Sequence, residues 1–151
     1  MMLENIYNYL QLSDTLHSSG MPTHEQVSSL AEDGVQVVVN LATSQSEGWM
    51  SDEKEWVEAQ NIAYFGIPVD WNNPTTEDLD KFMDTLEKHK HKKILVHCQA
   101  NHRATAFIAL YRINLLGWST ENAFESLLKI WNPAEYPVWE KFIEKVIRAQ
   151  S

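Results

Sequence analysis

Residues 35–41 read VQVVVNL, and no other stretch limits the fold of this chain so tightly. A valine-rich run without polar alternation is a strand covered on both faces, not one lying half in water. Two more apolar runs follow, 63–69 (AYFGIPV) and 93–97 (KILVH). Helical patterns separate them. Thr23 is a cap with Gln26 at capping-box spacing; Val27, Leu30 and Ala31 form an apolar face, and Gly34 ends the pattern. Ser51 opens a second helix bearing Trp56, Val57 and Ala59, and Thr76 caps a third whose Leu79, Phe82, Met83 and Leu86 form one stripe. After 97 come helical patterns over 103–116, 120–130 and 138–149, the last two joined at Asn132-Pro133. Ahead of all this, 9–12 reads as a short strand, and Ser18-Ser19-Gly20-Met21-Pro22 as a polar turn.

Strands alternating with helices predict an α/β domain, a mainly parallel central sheet flanked by helices. With 151 residues and 44% hydrophobic side chains, one domain over residues 1–151 is expected. In such sheets ligands bind beyond the carboxyl ends of the strands, here just after Leu41, Val69 and His97.

The formal charge of −9 repels phosphate backbones, so nucleic acid is not an expected partner, and an anionic ligand would need a local positive site. A single cysteine excludes an intrachain disulfide framework and a cysteine-rich zinc site. The N-terminus has no basic region and no long apolar run, and no later segment reads as membrane-spanning, so the expected location is the cytoplasm.

The third apolar run leads into Val96-His97-Cys98-Gln99-Ala100-Asn101-His102-Arg103-Ala104-Thr105. A cysteine between a strand and a helix lies where loop and helix N–H groups converge on an anion and favour a thiolate. Arg103 adds a fork matched to two phosphate oxygens.

This stretch resembles the signature loop of the protein tyrosine and dual-specificity phosphatases: His-Cys, five residues with a central glycine, then Arg and Ser or Thr. More closely, the chain resembles the beta-lactamase-hydrolase-like group of small bacterial phosphatases. Ser19-Gly20-Met21-Pro22-Thr23, Val38-Val39-Asn40-Leu41, Ile67-Pro68-Val69-Asp70 and the His-Cys loop occur in that group's order. The resemblance implies a phosphotyrosine phosphatase-like fold and hydrolysis of a phosphorylated protein or small phosphomonoester, with no cofactor or metal. It implies Cys98 as nucleophile, Arg103 and the groups of Gln99, Ala100, Asn101, His102 and Ala104 around the phosphate, and support from His97 and Thr105. Asp70, beyond the second run, is the candidate general acid, or else the cap of its own loop.

Four residues separate Cys98 from Arg103 where the family has five. Either one residue is deleted and Arg103 keeps its role, or the loop length is unchanged, Asn101 replaces the glycine and Ala104 the arginine. Two other functions compete: a non-catalytic phosphate-binding module, favoured by the short spacing, and a rhodanese-like sulfurtransferase. The basic stretch from Lys88 to Lys93, with its His-x-His pair, reads as a solvated helix end, and the tryptophans at 49, 56, 118, 131 and 139 read as packing residues.

Overall fold

The computed structural model describes residues 3–150; Met1, Met2 and Ser151 of the expected domain lie outside the described residues. Five strands form one sheet: β1 (Leu10–Gln11), β2 (Leu16–Ser19), β3 (Val37–Asn40), β4 (Ala63–Gly66) and β5 (Ile94–His97), in the order β1-β2-β5-β3-β4. Only the β1–β2 pair is antiparallel, so the sheet is mixed and mainly parallel.

The valine run forms β3, buried at every position. Val37 and Val39 join Ile94 and Val96 in a core on one face, and Val38 and Leu95 join a second core on the other. This two-sided burial is why the run shows no polar alternation. The first core is covered by α3 (Thr76–Lys88), α4 (His102–Asn114), α5 (Thr120–Leu127) and α6 (Pro137–Ala149). The second packs beneath α1 (His24–Val27), α2 (Glu53–Glu58) and a 3-10 turn, Leu30–Asp33. Within α4 every residue from 103 to 112 is buried, as expected of a helix enclosed by its neighbours.

Local signals fixed several boundaries. Thr23 Oγ1 accepts from Gln26 N at 3.1 Å while Thr23 N donates to Gln26 Oε1 at 2.9 Å, completing the capping box. Gly34 ends its turn with φ 79°. The stripe Leu79, Phe82, Met83 and Leu86 is buried.

Other expectations change. The segment read as a polar turn from Ser18 begins inside β2, a central strand whose Ser18 and Ser19 are fully buried against Val96 and His97. Hydrogen bonding to β5 makes it a strand, and its apolar content gives no warning. The run 63–69 is regular only to Gly66 and forms an edge strand, half-buried, although Ile67 and Val69 beyond it are buried. The cap of α3 is Thr75, whose side chain accepts from Asp78 N at 3.1 Å, and Thr76 is the first helical residue.

Candidate active site

Cys98 follows the last residue of β5, and its N–H still bonds Ser19 O in the sheet ladder at 3.4 Å. The residue is fully buried and forms part of the floor of an open cavity of about 710 Å3. Gln99, Ala100, His102 and Arg103 line the same cavity.

The loop is held from behind by the N-terminal segment. Met21 N donates to Gln99 O at 2.9 Å, and Asn8 Nδ2 donates to Ala100 O at 3.1 Å. In a planar trans peptide the carbonyl and the amide point in opposite directions. With Gln99 O tied to Met21, the Ala100 N–H is therefore turned away from the strap. Gly20 is required here: a Cβ would lie 2.8 Å from Gln99 O and 2.6 Å from Tyr7 Cδ2. The first-turn N–H groups of α4 lack intrahelical acceptors and add to the donor array.

Asn101 has φ 66° and ψ 9°, a left-handed turn that Asn tolerates well. Its Nδ2 donates to Asn8 O at 2.7 Å. Its side chain does not line the cavity, and that of Ala104 belongs to the core. Arg103 lines the cavity instead. Asn101 thus adopts a left-handed conformation, and Arg103 lines the cavity together with Cys98.

Arg103 is 5% exposed, with its Nη1 donating to Val69 O at 2.8 Å and Nη2 to Ser46 Oγ at 3.3 Å. Ser46 also accepts from Thr43 N at 3.0 Å. The loop after β3 therefore supplies an arginine anchor that no motif announces.

His97 and Thr105 have partners other than the thiol. His97 Nε2 lies 2.7 Å from Glu53 Oε2, with both side chains buried, and Nδ1 lies 3.4 Å from Cys98 O. Glu53, on α2, escaped sequence reading because its neighbours Lys54 and Glu55 are exposed charges. Beside it, Asn40 Nδ2 donates to Tyr64 OH at 3.1 Å, and the Tyr64 pKa is pushed up to about 12 by burial and then by the Glu53 charge. Thr105 Oγ1 donates to Asn101 O at 2.7 Å and accepts from Trp131 Nε1 at 3.0 Å. Its one proton is engaged with the preceding turn.

Asp70 lines the cavity and is exposed. Its Oδ1 accepts from Asn72 N at 2.9 Å, so the residue also caps its own loop. Trp71 and Tyr136 form an aromatic wall. Behind it the His102 ring stacks flat on Trp131, 4.7 Å between centroids, and burial, then the Arg103 charge, lowers the His102 pKa. Of the tryptophans read as packing residues, Trp131 and Trp139 are buried, while Trp118 is exposed. Among the described residues no group of three or more His, Cys, Asp or Glu is arranged to hold a metal ion, and no helix is long and apolar enough to cross a membrane.

A cysteine at the end of a central parallel strand, an amide-rich loop and an arginine on the following helix define the cysteine-phosphatase class of fold. The chain belongs to the family described as DSP-PTPase phosphatase fused to NAD+ kinase (PTP-NADK), whose family model matches residues 8–130. A crystal structure of a DUF442 protein from Shewanella putrefaciens CN-32 is 37% identical, covers 99% of this chain and 97% of its own, and superposes with a TM-score of 0.88. The dual specificity protein phosphatase TpbA of Pseudomonas aeruginosa is 24% identical over 122 residues, covering 80% of this chain and 53% of TpbA. The chain spans about half the length of the curated relatives it matches. The crystal structure of TpbA in complex with phosphotyrosine shares the fold, with a TM-score of 0.71 at 19% identity, covering 95% of this chain and 90% of that one.

Proposed function

We propose that this chain hydrolyses phosphomonoesters through a covalent phosphocysteine on Cys98. The observation that carries the reading is that Cys98, Arg103 and Asp70 line one cavity although they come from two separate strand ends and a helix. The Cys98 thiolate attacks phosphorus in line and the ester oxygen departs; water then attacks the phosphocysteine, releasing phosphate and the thiolate. Arg103 and the loop amides stabilise the equatorial oxygens. Asp70 protonates the leaving oxygen and takes the proton of the attacking water; Oδ1 holds the loop, and Oδ2 is left for the proton. The substrate is a phosphorylated protein or small phosphomonoester, and a nucleophilic thiolate suits the reducing cytoplasm.

The test is p-nitrophenol release from p-nitrophenyl phosphate across pH 5–8, comparing the parent with Cys98→Ser. Turnover lost in the variant supports the reading. A folded parent without turnover favours the second reading, a phosphate-binding module. That alternative draws on Arg103, whose donors already engage Val69 O and Ser46 Oγ.

A further inference from the structure

A second cavity, about 270 Å3 in volume, opens at the other end of the sheet, beside Leu16 and Ile94 at the starts of β2 and β5. Leu86, Leu116 and Trp118 supply further apolar wall, and Ser13, Lys90 and Arg112 supply donors. The chain has 21 aspartates and glutamates, yet none lines this cavity. Glu87 stands behind that lining, engaged by Tyr111 OH at 2.5 Å and lying 3.5 Å from Lys90 Nζ, so the lining itself presents no carboxylate to repel an anion.

Arg112 is the decisive group. Its side chain lies 4.1 Å over the Trp118 ring and is 4% exposed. Nη2 donates to Leu12 O at 2.8 Å and Nη1 to Ser126 Oγ at 3.4 Å, both neutral acceptors. Among the described residues no carboxylate stands within ion-pair distance of it. Buried charges are normally paired, because an unpaired one gives up hydration without return. Burial alone lowers the Arg112 pKa, in keeping with a cation lacking its counter-ion. Ser13 Oγ accepts from Thr15 N at 3.2 Å and Leu16 N at 3.0 Å, so its proton is free to be donated.

We propose that this cavity binds a small amphipathic monocarboxylate, with its carboxylate on the Arg112 guanidinium and Ser13 hydroxyl and its alkyl chain against Leu16, Leu86 and Trp118. With Lys90 paired to Glu87, Arg112 is, among the described residues, the one lining cation outside an ion pair and matches one carboxylate, whereas a phosphate dianion would leave charge unmatched against an apolar wall. The volume lies just under the roughly 300 Å3 where ligand pockets usually begin, which fits a medium-length chain. The site stands apart from Cys98 and does not depend on the phosphatase reading.

The test is calorimetric titration of sodium octanoate into the full chain, with saturating vanadate present to occupy the anion site at Cys98. One saturable, submillimolar site is expected, and n-octylammonium should give none. Leu116 lies on the rim and is 47% exposed, so Leu116→Glu leaves the core intact and is expected to weaken octanoate at least about tenfold. Arg112→Met is expected to abolish binding; should that variant not fold, Leu116→Glu still decides the matter. No saturable octanoate binding, equal binding of the octyl cation, or undiminished affinity in Leu116→Glu would each overturn the proposal and leave Arg112 as a structural tie between α4, α5 and Leu12.

Discussion

At the scale of single residues, Arg103 carries the sharpest prediction. Its fork reaches Val69 O and Ser46 Oγ together, which fixes the guanidinium plane in the cavity that Cys98 also lines. Lysine keeps the charge and cannot bridge both acceptors in one plane. Arg103→Lys is expected to weaken vanadate binding about tenfold, read by titration calorimetry, and equal affinity would remove Arg103 from the ligand's contacts. Thr105→Val leaves the buried Trp131 N–H without its acceptor, and denaturant unfolding should show a loss of about 1–3 kcal/mol. His102 is held below its ordinary pKa of 6.5, so the unfolded chain takes up its proton first as pH falls. Its contribution to stability is full above about 6.5 and declines below that value toward the folded pKa. His17, likewise lowered by burial, acts in the same direction, so His102→Gln should flatten only part of the fall in melting temperature on the acid side of 6.5. Cys98, Arg103 and Asp70 were legible as candidates because strand ends in such a sheet are few. Glu53 was not, since a buried carboxylate among exposed charges declares itself only when α2 is set against β5.

Elements were legible where burial wrote itself into composition. β3, β5 and the α3 stripe each carry an apolar pattern of the right period. β2 carries none: Leu16-His17-Ser18-Ser19 is a strand through its register with β5, and sequence periodicity is blind to register. The same blindness hid the contact between the N-terminal segment and the Cys98 loop. Gly20→Ala tests that contact, because the new Cβ would meet a backbone oxygen that has nowhere to retreat. A loss of about 1–3 kcal/mol is expected, together with slower alkylation of Cys98 as the loop shifts. A variant as stable and as reactive as the parent would show that the strap gives way freely. At the other end of the ledger of caps, Thr75→Ala should cost about 1 kcal/mol by thermal unfolding without touching the loop.

Across the whole molecule, the charge of −9 opposes the approach of any dianion, the proposed phosphomonoester included. Arg103 acts only at short range, because its guanidinium is buried, while the surface field reaches outward over a Debye length. Raising the ionic strength from about 20 to about 200 mM is therefore expected to increase kcat/KM for an anionic aryl phosphate by roughly twofold. A decrease would mean that local positive potential governs capture even at a distance. The acidic composition was plain in the sequence; that a carboxylate, Asp70, lines the same cavity as Arg103 was not, since the placement of charge follows from how the strand ends and helices meet.

The ties from Asn8 and Met21 to the loop carbonyls must break before the loop can part from the N-terminal segment. Native proteins exchange amide hydrogens in cooperative blocks, and groups that share hydrogen bonds open together. The amides that join the two segments, Cys98 N on Ser19 O and Met21 N on Gln99 O, should then exchange in step and faster than the middle of α4, where ten consecutive positions are buried. Deuterium uptake at Met21, whose N–H is held by Gln99 O, thus becomes a clock for the strap, and whatever loosens residues 7–21 loosens the Cys98 loop with them.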